Sequence, residues 1–372
     1  MQIKIAERFR PFVHIPGVQC VLPFTTLCFQ IYPAFIRVFD LSTSTPIPSM
    51  IAEFPLSIQG PVHGFTVQQD LEKGHLKVWG DSAQGFFRYR IESKSGSKSK
   101  FKSETDCSKE FVLISEKMPE VLPKAYCGIS AGVTCCESAE PNAIERLSFG
   151  VTKKADWVLV SRRIILAEIL PFWFRLGQMI PAVLPHSSGS AVLFDHIQEA
   201  LTQQNSLGLA SALRHLFFVG FEGLLSPTLI DSMHQGFSLP TDQIESAHSP
   251  LLLLTKGAQM IKQMLAAVNN CAEDNANAAV DILPCLLPEL HAGRYCDVQL
   301  GSIGKLDLEW TKKQTRRIIF HSAKEQTLTF NFQKDLKSFR LRNAVTPVAS
   351  LKTCGKPIVF ATGTYFLDNF ER

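Results

Sequence analysis

Apolar and polar positions alternate with period two over most of the first 120 residues. Phe24 to Phe29, Phe35 to Phe39 and Ile51 to Ile58 are short β-branched or aromatic runs set between Pro, Ser and Thr, a strand pattern. The clearest unit is 65–91. Phe65 to Gln69 alternates, Asp70 to Gly74 supplies a turn, and Leu76-Lys77-Val78-Trp79 alternates again. A second turn then leads into Phe86 to Ile91. This predicts a three-stranded meander with Leu76 and Val78 on one face and Lys77 and Trp79 on the other. Phe111 to Ile114 predicts the next strand.

The period changes near 140–165. Ser188-Gly189-Ser190 opens a helix with apolar positions at Val192, Leu193, Ile197 and Ala200. Ser249-Pro250 opens another, carrying Leu253, Leu254, Met260, Ile261, Met264 and Leu265 and ending at Asn269-Asn270. Beyond Pro288 the period returns to two, at 297–300, 305–310, 316–320 and 327–332, which predicts a closing antiparallel sheet. The expected fold class is therefore α+β: a β-sandwich-like unit over 1–160, a helical unit over 161–290 and a C-terminal β region over 291–372.

Composition narrows the classes. The chain has 372 residues, 45% hydrophobic and 19% charged, with a formal net charge of +4. This balance is too mild for a dedicated nucleic-acid binder, so no nucleic acid is expected as partner. The apolar stretches 164–184, 207–225 and 250–268 each carry charges, such as Glu168, Arg175, Glu222 and Lys262, and read as core helices, with Pro171 interrupting the first. The ten cysteines form no CxxC pair, and the first ten residues lack an apolar core. Together these lead to the expectation of a cytoplasmic location, no membrane span and no cofactor.

No GxGxxG, GxxxxGK[ST], HExxH or GxSxG motif occurs in the sequence. Cys285, His291 and Cys296 offer three zinc-type ligands without a fourth or a tight knuckle, so no metal is assigned. Four sets of residues remain. The junction at Glu145, Arg146, Asp156 and Trp157 combines mixed charge with an indole, the composition of either a ligand pocket or a hinge held by ion pairs. Glu222 lies in the apolar run Phe217 to Leu225, where burial would raise its pKa and suit it to donate a proton; a pairing with Arg214 or Arg175 is the plainer alternative. Trp79, Phe87 and Tyr89 offer either a sugar-stacking platform or core packing. Last, the basic, low-complexity stretch 93–103 reads as a solvated loop with the option of an acidic partner.

Two resemblances follow from local text. Ile5 to Phe12, Gly60 to Gly74 and Glu145 to Gly150 resemble a family of conserved hypothetical proteins of chlamydiae and their relatives, which implies a bacterial lineage and no activity. The segment Gly304 to Trp310, with the β–α–β order, is similar to glycoside hydrolases that carry a helical toroid, such as family 95. About 130 central residues are too few for a double ring of helices of ~11–12 residues each, so a reduced, non-catalytic relative is the most that resemblance implies. The expectation is an intracellular interaction or scaffolding protein with a protein partner; the alternative is a carbohydrate-binding or carbohydrate-active protein.

Overall fold

In a computed structural model, residues 2–42, 49–93, 111–117, 144–151, 154–231, 248–269, 278–345 and 348–372 are described. Segment 94–103 and Cys107, Cys127, Cys135, Cys136 and Cys271 lie outside them. The architecture is α+β with most of it sheet.

The N-terminal third folds as two antiparallel sheets. One has the order β1 (Phe12–Val13), β6 (His63–Asp70), β7 (His75–Ser82), β8 (Gly85–Ser93) and β9 (Phe111–Lys117). The predicted meander is its centre, with β6, β7 and β8 pairing in sequence. The other holds β2 (Val18–Val21), β3 (Leu27–Ile31), β4 (Phe35–Asp40) and β5 (Ser49–Pro55) in chain order. Their apolar faces meet: Phe29 of β3 and Phe111 of β9 stack edge to face at 5.0 Å, and Gln69 Nε2 donates to the Val21 carbonyl at 2.7 Å. Such alternation of buried and solvated positions is what a two-sheet packing demands.

Among the described residues five α-helices follow: α1 (Trp157–Arg163), α2 (Leu166–Gly177), α3 (Leu193–Thr202), α4 (Ser206–Gly220) and α5 (Leu252–Leu265). Between α4 and α5 a two-residue pair forms from β11 (Phe221–Glu222) and β12 (Ser226–Pro227). Pro171 does not interrupt the first apolar stretch as predicted; it sits inside α2. Lacking an amide, it leaves the carbonyl four residues before it without that partner, and the packing of a helix buried along most of its length outweighs the loss. Among the described residues no helix is long and apolar enough to cross a membrane.

A seven-stranded sheet orders β10 (Arg146–Ser148), β15 (Ala292–Gln299), β16 (Gly304–Thr311), β17 (Gln314–Ser322), β22 (Gly363–Glu371), β19 (Ser338–Asn343) and β20 (Ser350–Thr353). A four-stranded sheet orders β13 (Ala266–Asn269), β14 (Ala278–Ile282), β18 (Gln326–Asn331) and β21 (Pro357–Phe360). Phe320 of β17 packs edge to face on Phe330 of β18 at 5.5 Å and on Phe360 of β21 at 5.2 Å, joining the two. Two expectations are corrected here. The strand at 327–332 leaves its neighbours for the other sheet, where it runs parallel to β14. The helix that starts near Ser249 ends at Leu265, and the chain continues directly as strand β13 rather than staying helical to Asn269.

Helix α2 is the pivot. Phe172 meets Phe9 from the N-terminal segment at 5.9 Å, Trp173 Nε1 donates to the Leu253 carbonyl of α5 at 3.0 Å, and Phe174 packs on Tyr295 of β15 at 5.5 Å. One apolar core therefore runs through the N-terminal sheets, the helices and the C-terminal sheets.

Candidate functional site

The structure separates the residues that the sequence singled out. Asp156 is the N-cap of α1, its carboxylate accepting from the Val158 amide at 3.2 Å, so it satisfies a helix end. Trp157 is only 2% exposed and lies edge to face with Phe172 at 5.7 Å and Phe217 at 6.2 Å. Arg146 donates to Glu72 at 3.2 Å and lies over the Phe9 ring, tying β10 to the turn after β6. The meander aromatics divide between two faces. Tyr89 and Phe87 are buried against the facing sheet, whereas Trp79 is half-buried on the outer face beside Lys77. A stacking platform of all three rings is thereby overturned.

Glu222 is half-buried in β11. Of the two suggested arginines, Arg214 pairs with Glu289, and Arg175 donates to the carbonyls of Leu71, Ile144 and Glu145. Burial pushes the neighbouring Cys28 thiol up to about 12, and the Glu222 carboxylate adds to that effect.

Glu145 is different. Its side chain is buried, and each oxygen is held from a distant part of the chain. Oε1 accepts from Lys262 Nζ of α5 and from the Gln299 amide of β15 at 2.9 Å; Oε2 accepts from the Tyr295 hydroxyl. The Glu145 amide donates to Gln178 Oε1 at 2.8 Å, and Lys262 also reaches the Gln299 carbonyl at 2.7 Å. Burial, then the adjacent carboxylate, drives the Tyr295 phenol well above its usual range, so it stays a donor. A carboxylate held by a cation, a phenol and an amide is satisfied rather than poised, which suits a structural clasp. The sequence pointed to Glu145 but not to its partners, which stand 117, 150 and 154 residues away. Lys262, one of two lysines in an otherwise apolar helical stretch, was the only signal for any of them.

This clasp forms part of the floor of a cleft of ≈ 720 Å³, which Lys262 and Gln299 both line. The walls are the C-terminal turns of α3 and α5, with Gln198, Thr202, Gln259 and Gln263; strand β13 along its length; Ala278 and Asp281 of β14; and Gln204, Gln299, Ser302, Lys324 and Gln326. Among the described residues six glutamines and one asparagine thus face the space, together with two lysines, a single carboxylate, Asp281, and no aromatic ring. Asp281 already accepts from the amides of Asn269 and of Asn331, the latter at 2.7 Å. Cys285, also lining, is buried, which raises its thiol and keeps it protonated and unreactive. None of Trp79, Trp157 or Glu222 borders the cleft.

Among the described residues no three His, Cys, Asp or Glu side chains are grouped to hold a metal ion. Cys285 and Cys296 are instead separately buried, and Cys296 Sγ donates to the Ile3 carbonyl at 3.8 Å. The chain matches no protein-family model and no curated protein.

Proposed function

We propose that this chain is a non-catalytic interaction protein whose binding surface is the amide-lined cleft between α3, α5 and β13. One observation carries the reading. Seven side-chain amides line the cleft, three of them (Asn269, Gln299 and Gln326) also donating within the fold, while Glu145 with Lys262 at the floor and Asp281 with Asn269 and Asn331 at the wall are already satisfied and Lys324 is exposed. Neutral amides recognise a partner but move no proton. The carbohydrate alternative is less well supported. Sugar faces want aromatic rings and glycosidic chemistry wants two facing carboxyls, and among the described residues the lining has no ring and one acid.

The test is to incubate the full chain with pooled oligosaccharides and peptides and to follow both bound and free fractions by mass spectrometry. The expected result is retained ligand of unaltered mass, with retention abolished by Gln263→Arg, which fills the cleft. Turnover of any pooled compound that disappears in Lys262→Met would overturn the reading.

A further inference from the structure

The geometry points to the open edge of β13 as the docking strand for an extended polypeptide segment, which adds to the four-stranded sheet by main-chain pairing. The inference rests on the cleft being a binding site and names the class of ligand it takes.

Consecutive side chains of a strand point to opposite faces, so a surface lying over one face touches alternate residues. Ala266, Ala267, Val268 and Asn269 all border the cleft, in unbroken succession. A space in contact with each of them runs along the edge of the strand, where the backbone is presented. β13 is also the terminal strand of its sheet, with β14 on one side and no described strand on the other.

Register shows which backbone groups are offered. Leu283 donates to the Leu265 carbonyl at 2.9 Å, and the ladder continues with Ala267 opposite Asp281 and Asn269 opposite Ala279. In an antiparallel pair every second residue exchanges hydrogen bonds with its partner and the residues between turn theirs outward. Ala267 and Asn269 therefore serve β14, while Ala266 and Val268 face the cleft. The Ala266 amide is taken up by the Lys262 carbonyl at the end of α5. That leaves the Ala266 carbonyl and both backbone groups of Val268 directed at the cleft, the spacing that one added strand uses.

The rest of the lining fits a peptide better than other polar ligands. Gln259 and Gln263 stand on the last turns of α5, just before the strand, and their amides match the carbonyls and amides of an extended chain. The small Ala266 and Ala267 side chains leave room for a backbone to approach. Lys262 is neutralised by Glu145 and Asp281 is held by two amides, which leaves the exposed Lys324 as the one charge the lining presents, so the cleft favours a polar peptide that is neutral or carries an acidic side chain towards Lys324.

The test selects peptides on the full-length chain from a random-peptide display library and measures their binding to the native protein, Val268→Pro and Gln263→Arg. Proline is tolerated where a strand amide faces outward, so Val268→Pro keeps the ladder and removes the outward donor. The expected result is binding about tenfold weaker to Val268→Pro, the scale of a lost main-chain hydrogen bond, with an unchanged unfolding midpoint. In the native protein, hydrogen exchange of the Val268 amide should slow on peptide binding. Peptides that bind Val268→Pro undiminished, with Val268 exchange unaltered, would overturn strand addition; if Gln263→Arg still blocks them, the cleft remains the binding site. Peptides indifferent to both variants would remove the cleft itself. A library that yields no binder, or retention of oligosaccharides only, would overturn the peptide class.

Discussion

Glu145 sits where the turn after β6, helices α2 and α5 and strand β15 converge, and its carboxylate is bonded by the last two of these. Removing the buried carboxylate leaves the Tyr295 hydroxyl and the Gln299 amide without their acceptor, so Glu145→Ala is expected to lower unfolding free energy by about 2–3 kcal/mol. Tyr295→Phe, which deletes one hydrogen bond, is expected to lower it by about 1 kcal/mol. Urea unfolding of the two variants checks both, and midpoints equal to the native protein's would show the clasp to be idle. The tryptophans divide in the same way. Trp157→Ala empties a core site and should lower stability by about 3–5 kcal/mol, whereas Trp79→Ala, on the outer face, should change it by about 1 kcal/mol or less.

At the scale of elements, α2 and α5 approach so closely that two contacts require glycine. A Cβ on Gly177 would stand 2.3 Å from the Leu254 carbonyl oxygen, and one on Gly257 would stand 2.5 Å from the Trp173 ring. Gly257→Ala should force the helices apart at a cost of about 1–3 kcal/mol, seen as a lowered thermal midpoint; an unchanged midpoint would refute the close packing. Strands and helices of this kind were legible in sequence because alternation and i, i+3, i+4 spacing are local consequences of one buried face, as in β6 to β8 and α3. What was illegible is non-local. Nothing in Thr327 to Phe332 says that it leaves its neighbours to pair with β14. The small residues Ala266 and Ala267 continue a helical pattern as readily as a strand; their ladder to Ile282 and Asp281 decides the matter. Similarly, the candidate residues were chosen by type, and type alone did not separate Asp156, a helix cap, from Glu145, a clasp.

For the whole molecule, the direction of its pH response follows from groups spread over both ends of the fold. Burial lowers the His75 imidazole despite Asp70 and Glu92 nearby, and burial also lowers His186 against the hydrogen bond from its ring to the Ser249 carbonyl. Each is then harder to protonate folded than unfolded, so the unfolded chain binds more protons and stability falls as pH drops below about 6.5. Burial alone would raise the carboxyls of Glu309 and Asp368, but the guanidinium bonds of Arg317 and Arg294, and of Arg340 and Arg342, outweigh it and hold both below the usual range. Their stabilisation is present above the ordinary carboxylate range and is lost as pH falls through it. Asp307, raised by burial, opposes this limb. Urea midpoints from pH 8 to 3 should therefore decline in two stages, and a midpoint that rises on acidification from neutrality would contradict the assignment.

The claim that matters most is that the amide-lined cleft is where this protein meets its partner. Its most direct test is photo-crosslinking of the full chain in cells, with a photoreactive residue at Gln263 in the cleft and, as control, at Leu351, an exposed position on β20. One dominant protein adduct is expected from position 263, absent from position 351 and diminished by Val268→Pro in the same chain. Adducts equal at the two positions, or none from position 263, would contradict that claim.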